Sequence, residues 1–132
     1  MKKVYDTINQ YCVEHELLTN GDGIVIGLSG GMDSVCLLQV LAALRNEWQL
    51  RLVCVHVHHG IRGTAADEDA AFAQRLAAKY NISFRLYEMD IPQLAKEQGL
   101  SEEEAGRNYR YRCFEEVRKE LNFDKIAVAH HR

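Results

Sequence analysis

The 132 residues suffice for one ordinary domain and not for two. With 47% hydrophobic and 27% charged residues, the composition excludes a disordered chain and describes a soluble globular protein that needs no metal or disulfide staple to build a core. A net charge of −3 excludes a chain that is basic throughout, so strong RNA binding by these residues alone is not expected.

The first segment, MKKVYDTINQYC, has two lysines but no long apolar run behind them, so no signal peptide is expected. No apolar stretch approaches the ~20 residues of a membrane span, and a cytoplasmic location follows by default. Val4, Ile8, Tyr11, Cys12 and Val13, with Leu17 and Leu18 beyond, are spaced as on one face of a helix. Gly21-Asp22-Gly23 breaks it. Ile24 to Leu28 is a short, continuous apolar run, the pattern of a strand buried on both faces of a parallel sheet. Ser29-Gly30-Gly31 follows, and a helical pattern runs from about Asp33 to Arg45.

Leu52 to Val57 reads as the second strand, and a loop with Gly60 and Gly63 leads to a helix over about 65–80. Ile82 to Met89 is the third strand. Ile91-Pro92 opens a short helix that closes near Gly99. Ser101, with Glu104 three residues later, has the spacing of a capping box and starts a helix reaching Leu121. Lys125 to Ala129 is the fourth strand. Strands alternating with helices predict an α/β fold: a doubly wound, mostly parallel, Rossmann-like sheet with right-handed crossovers. In such sheets ligands bind beyond the carboxyl ends of the strands, where strand order reverses. That directs attention to the loops after Leu28, Val57 and Ala129. The four cysteines, Cys12, Cys36, Cys54 and Cys113, form no Cys-x-x-Cys pair, and three sit in apolar segments, as buried reduced thiols do.

Three clusters carry the chemistry. Ser29-Gly30-Gly31-Met32-Asp33-Ser34 lies between a buried strand and a helix start. Its glycines allow a ligand close to the backbone, and the helix start offers unpaired N–H groups to an anion such as phosphate. Asp33 would repel phosphate unless a bound Mg²⁺ stood between them. An ordinary turn with Asp33 or Ser34 as N-cap fits the same residues. Neither a Walker A lysine nor a dinucleotide fingerprint is present. His56, His58 and His59 cluster at the end of the second strand. Alternation puts His56 and His58 on one face, so a two-histidine metal site stands beside a reading of packed or solvent-facing rings. Arg107 and Arg110 lie three apart on one helix face. Arg107 is placed either in a surface ion pair with Glu103 or Glu104 or on phosphate oxygens, which its planar fork matches.

Ser-Gly-Gly-x-Asp-Ser after an apolar strand resembles the PP-loop of the ATP pyrophosphatase superfamily, whose members cleave ATP between the α- and β-phosphates. The segment His58-His59-Gly60-Ile61-Arg62-Gly63 resembles the HHG-[IL]-R-G segment of tRNA(Ile)-lysidine synthases, with Asp67 and Asp69 matching the acidic residues that follow. Glu104-Ala105-Gly106-Arg107 and Tyr109-Arg110-Tyr111 are similar to that family's E-A-A-R-x-x-R-Y, with Gly106 where alanine is usual. The resemblance implies a carbon–nitrogen ligase that turns ATP into AMP and pyrophosphate. ATP adenylates the wobble cytidine of isoleucine tRNA, and L-lysine then displaces AMP. It assigns Ser29, Gly30, Gly31, Met32, Asp33 and Ser34 to ATP, Asp33 to Mg²⁺, and Arg107 and His130, with Asp33, to catalysis.

In the family the fourth strand continues as A-H-H-x-x-D-D-Q-x-E-T, and tRNA-binding and C-terminal domains follow. The chain stops at Arg132 after Ala129-His130-His131. Residues 1–132 are therefore expected to be a partial N-terminal ATP-binding domain, truncated after the fourth strand, that binds ATP and tRNA weakly and does not ligate alone. Two rivals stand beside this reading. One is another PP-loop enzyme such as a tRNA thiolase, against which the scattered cysteines speak. The other is a catalytically silent nucleotide-binding module.

Overall fold

Apolar β-branched runs alternating with amphipathic stretches produce a parallel sheet covered by helices on both faces. The computed structural model describes residues 18–28, 32–60 and 64–128, without the side chains of Met32, Asp33 and Thr64. The elements are β1 (Gly23–Gly27), α1 (Met32–Trp48), β2 (Arg51–His58), α2 (Thr64–Lys79), β3 (Ser83–Glu88), α3 (Ile91–Gln98), α4 (Glu102–Leu121) and β4 (Lys125–Val128). The four expected strands are all present, with ends moved by at most one residue. The helix expected over the first residues lies outside the described residues, apart from Leu18, which packs on the core.

The strand order is β3-β2-β1-β4, and every neighbouring pair is parallel. The chain thus builds outward from β1 through β2 to β3, then returns to place β4 on the other side of β1. The order reverses between β1 and β4. On one face Ile24, Ile26, Leu52 and Cys54 pack against Leu38, Leu41 and Leu44 of α1 and Ala73, Leu76 and Ala77 of α2. On the other, Val25, Val53 and Val55 meet Phe114 and Val117 of α4. Each fully buried aliphatic side chain here is worth about 1.5–3 kcal/mol. The central strands β1 and β2 are buried on both faces, whereas the outer strand β3 has only exposed and half-buried positions. This is the division that continuous apolar runs in β1 and β2 and weaker ones in β3 predict.

Local chemistry sets the helix ends. The Asp90 carboxylate accepts from the Gln93 N–H at 3.1 Å, Pro92 stands in the first turn, and Gly99 closes α3 in the left-handed conformation. Ser101 Oγ accepts from the Glu104 N–H at 3.1 Å and starts α4, which ends at left-handed Asn122. At the amino edge of the sheet, buried Asp22 accepts from the Thr19 N–H at 2.8 Å and from the Lys125 ammonium. Asp124 accepts from the Gly23 N–H at 2.8 Å and from Arg51 at 3.2 Å. The exposed Arg51 pair adds at most about 1 kcal/mol. The bonds from Asp22 and Asp124 nevertheless hold β4 in register beside β1, which fixes where the strand order reverses. Among the described residues no helix is long and apolar enough to cross a membrane.

Candidate functional site

β1 ends at Gly27, which pairs with Val55 on one side and Val128 on the other. Leu28, buried, still donates its N–H to the Val55 carbonyl at 2.9 Å. Its carbonyl accepts from His56 Nδ1 at 2.8 Å, so Nδ1 carries the proton. Four residues later α1 begins at Met32, and Ser34 in its first turn is buried. The first N–H groups of a helix have no partner within it and carry the positive end of its dipole. Here they open at the carboxyl edge of the sheet, beside the reversal between β1 and β4. Ser29, Gly30, Gly31 and His130, with the side chains of Met32 and Asp33, lie outside the described residues.

The histidine segment is held from three sides. His58, buried, accepts from the Gly60 N–H through Nδ1 at 2.9 Å and donates from Nε2 to Asp67 at 2.8 Å. Both ring nitrogens are engaged in this tautomer, which leaves no lone pair for a metal. His56 shares its strand face, as alternation predicts, but serves Leu28. Among the described residues no three metal-ligating side chains come together. The His58 carbonyl accepts from the Met89 N–H at 3.0 Å and the His59 carbonyl from the Ile91 N–H at 3.1 Å, which ties the end of β2 to the start of α3. Burial holds the His59 imidazole below its usual pKa, and the neighbouring charge of Arg110 pushes the same way, followed by His56 and His58. Neutral Nε2 therefore faces Arg110, 3.5 Å away. Their contact forms part of the wall of a cavity of about 220 Å³ that Ile91, Pro92, Glu102 and Glu103 complete.

α4 runs antiparallel to the strands, and Phe114 lies against Gly27 at the end of β1. Arg110 and Arg107 stand four and seven residues earlier, hence about 6 and 10 Å further along the helix axis, out at the carboxyl edge. Arg107 is exposed. Among the described residues it makes no ion pair with Glu103 or Glu104; the ion pairs within α4 join Arg112 to Glu116 and Arg118 to Glu115. Gly106 is buried against the His59 loop. A methyl group there would lie 3.5 Å from His59 Cε1 and 3.6 Å from Ile91 Cγ2, which is ordinary contact. Gly106→Ala is therefore expected to stabilise the domain by about 0.5–1 kcal/mol, the helix-interior penalty of glycine. Urea denaturation of both forms checks this, and a lower midpoint for the alanine form would refute it.

A buried strand ends and a helix starts at the point of reversal, with Ser29-Gly30-Gly31 between them in the sequence. The model of the PP-loop domain matches residues 2–132. The chain belongs to the PP-loop domain family. Among curated proteins it is similar to the tRNA(Ile)-lysidine synthase of Caldanaerobacter subterraneus subsp. tengcongensis, 46% identical over 132 residues, which is all of this chain and 27% of that protein. It is 40% identical over 127 residues to that of Clostridium tetani, covering 96% of this chain and 26% of the relative. The chain thus spans about a quarter of the length of these relatives. Among solved structures it resembles the U34-tRNA thiolase NcsA from Methanococcus maripaludis with its [4Fe-4S] cluster, at TM-score 0.74 and 21% identity, over 98% of this chain and 47% of that one. It also resembles the NH3-dependent NAD synthetase of Campylobacter jejuni, at TM-score 0.68 and 20% identity, over 96% of this chain and 55% of that one. At these identities the likeness is one of fold.

Of the described cysteines, Cys54 and Cys113 are buried and Cys36 is half-buried. Cys54 is buried mid-strand in β2, and burial pushes its thiol up to about 12, against a smaller opposing pull from Arg45. Cys113, buried in α4, is raised by the same cause. Both are protonated at neutral pH and are poor nucleophiles. Cys36 is half-buried in α1, and Cys12 lies outside the described residues. Sequence reasoning did not find the His56–Leu28, His58–Asp67 and His59–Arg110 contacts. Asp67 follows His58 by nine residues, but its place in the first turn of α2 already accounts for an acidic residue there.

Proposed function

We propose that this chain is the ATP-binding part of a tRNA(Ile)-lysidine synthase. In the whole enzyme it would hold the ATP that adenylates the wobble cytidine of isoleucine tRNA, before L-lysine displaces AMP. The observation that carries this reading is the sequence SGGMDS directly after β1, the strand beside which the strand order reverses, in a chain 46% identical to a curated relative of that name. A polyphosphate fits what is described there: a helix of 17 residues opening shortly after β1, with the chain fixed at Leu28.

In this proposal Ser29, Gly30, Gly31, Met32 and Ser34 cradle the phosphates, and Asp33 takes Mg²⁺, which would neutralise charge on the phosphate oxygens. Arg107 and His130 would act on the adenylate; Arg107 suits this as an exposed guanidinium at the carboxyl edge. Reaction of this kind depends mainly on positioning and charge neutralisation. We further propose that residues 1–132 form a partial N-terminal domain of a cytoplasmic protein. With a net charge of −3 they would neutralise few phosphates, so tRNA would be gripped chiefly by other regions. A thiolase reading gains nothing from Cys54 and Cys113, which are buried and protonated.

The test is calorimetric titration with ATP and Mg²⁺. Gly31→Val, which puts a branched side chain where the backbone should approach phosphate, is expected to weaken binding at least about tenfold. Equal affinities would mean that the turn only connects β1 to α1. Pyrophosphate release by the full-length enzyme with lysine and isoleucine tRNA separates a ligase from a silent nucleotide-binding module.

A further inference from the structure

We infer that Tyr111 and Arg107 of α4 together hold one unpaired nucleotide of an RNA substrate, the ring stacking on its base and the guanidinium meeting its phosphate. The inference rests on the proposed tRNA-modifying role for the identity of the ligand, and on the geometry of α4 for the place.

At 3.6 residues per turn, Arg107, Tyr111 and Arg118 fall within about 40° of one another and form one flank of α4. Two contacts orient that flank. Glu120, nine residues after Tyr111 and therefore on the opposite flank, accepts from Arg85 of β3 at 2.7 Å. Arg118 donates to the carbonyl of Phe123, where the chain turns into β4, at 3.3 Å. The Tyr111 flank thus lies on the β4 side of the sheet. Its height follows from Phe114, which lies against Gly27, the residue paired with Val128 in β4. Tyr111 stands three residues earlier, about 4.5 Å beyond those strand ends, and Arg107 about 6 Å further out. Both overlook the reversal of strand order between β1 and β4.

Three large apolar side chains are exposed among the described residues. Phe72 and Leu86 belong to α2 and β3, away from the reversal, whereas Tyr111, 37% exposed, stands beside it. Its ring is held edge-to-face with Phe114, with centroids 5.7 Å apart. A ring already fixed by packing loses little freedom when a base stacks on it, and every base has a π face to offer. Arg107, one turn away on the same flank, is exposed and joins no ion pair among the described residues, so its guanidinium is free for phosphate oxygens. One ring and one cation grip one nucleotide. A net charge of −3 gives the domain no track for a longer strand. The start of α1, which the proposed function gives to the polyphosphate of ATP, belongs to the other face of the sheet, where Leu38 and Leu41 pack on Ile24 and Ile26. The α4 face is left to the second substrate.

The probes are tetracytidylate and a ribose–phosphate tetramer of the same length without bases, each titrated into the chain and followed by proton NMR. Loss of signals in Tyr111→Leu assigns the Tyr111 ring. Tetracytidylate is expected to bind weakly and to move those ring signals upfield, as stacking does, while the abasic tetramer leaves them in place. Tyr111→Leu keeps an apolar cover on Phe114 and should weaken tetracytidylate binding about tenfold. Tyr111→Phe keeps the ring and should stay within about twofold of the wild type. Arg107→Gln should weaken binding about fivefold and flatten its salt dependence. Affinities are compared below each variant's own denaturation midpoint, so that lost stability is not read as lost binding. Ring signals that tetracytidylate does not move, or equal affinity of the wild type and Tyr111→Leu, would overturn the inference. So would the same upfield shift on adding ATP and Mg²⁺ without RNA, since the stacked base is then adenine. If the chain binds no ATP, the proposed function falls, and the tetracytidylate titration still decides whether Tyr111 takes a base.

Discussion

Gly60→Ala is expected to destabilise the domain by about 3 kcal/mol, a large share of the 5–15 kcal/mol that a domain of this kind has in reserve. Two separate costs add. Gly60 has φ of +81°, a conformation that costs an L-residue roughly 1–2 kcal/mol. An added Cβ would also lie 2.6 Å from the Met89 carbonyl oxygen and 2.7 Å from Asp90 Cα. Both obstacles are backbone, and that backbone is committed: Met89 N–H bonds to the His58 carbonyl and Ile91 N–H to the His59 carbonyl. Moving it aside breaks the seam between β2 and α3, and overpacking of this sort costs about 1–3 kcal/mol. Gly99→Ala is the control. Its φ is +68°, but nothing stands within 4 Å of the new Cβ, so only the conformational cost of about 1–2 kcal/mol applies. Denaturation midpoints of the two variants measure the difference. A Gly60→Ala loss no larger than that of Gly99→Ala would show that the α3 junction yields freely.

The glycine of the HHG segment is thus explained by a contact with residues thirty positions later, and this marks the boundary of what the sequence alone discloses. Features with a local physical cause were legible. The runs Ile24–Leu28 and Leu52–Val57 identified strands because burial on both faces admits only apolar side chains there. Ile91-Pro92 and Gly99, and then Ser101, marked helix ends because caps act over three or four residues, whereas the Asp90 cap was not read. Alternation predicted a doubly wound parallel sheet with a reversal of strand order, and the reversal falls between β1 and β4. Contacts between distant segments left no such trace. His59 meets Arg110 across 51 positions, and Lys125 meets Asp22 across 103. Each partner is an unremarkable polar residue until the sheet brings the two together. The pairing of His58 with Asp67 was hidden for another reason. Asp67 already had a sufficient explanation in the first turn of α2, where acidic residues are favoured.

The opposite face supplies the second large effect, because α4 reaches the carboxyl edge only as far as its packing allows. Phe114, 2% exposed, lies over Gly27, and Phe114→Ala is expected to cost about 3–5 kcal/mol through lost burial and the cavity left behind. The contact is specific in shape as well as apolar. A Cβ on Gly27 would come within 2.6 Å of Phe114 Cζ, so the last residue of β1 is small because the ring lies on it. Gly27→Ala alone should therefore cost about 1–3 kcal/mol by overpacking. Phe114→Leu alone should also destabilise, since it withdraws ring atoms that nothing replaces. Combined, the two changes partly compensate, because the new methyl occupies space the ring vacates. The double variant is expected to be more stable than the sum of the single losses by about 1 kcal/mol or more. Equilibrium denaturation of the four proteins closes this cycle, and strict additivity would mean that ring and strand are not in rigid contact. The same pair sets the position of α4 along β1, and with it how far Arg110 and Arg107 project beyond the end of β1. A shift of α4 by one turn would carry both guanidiniums about 5.4 Å along the helix axis, enough to take Arg107 away from the position its proposed role on the adenylate requires.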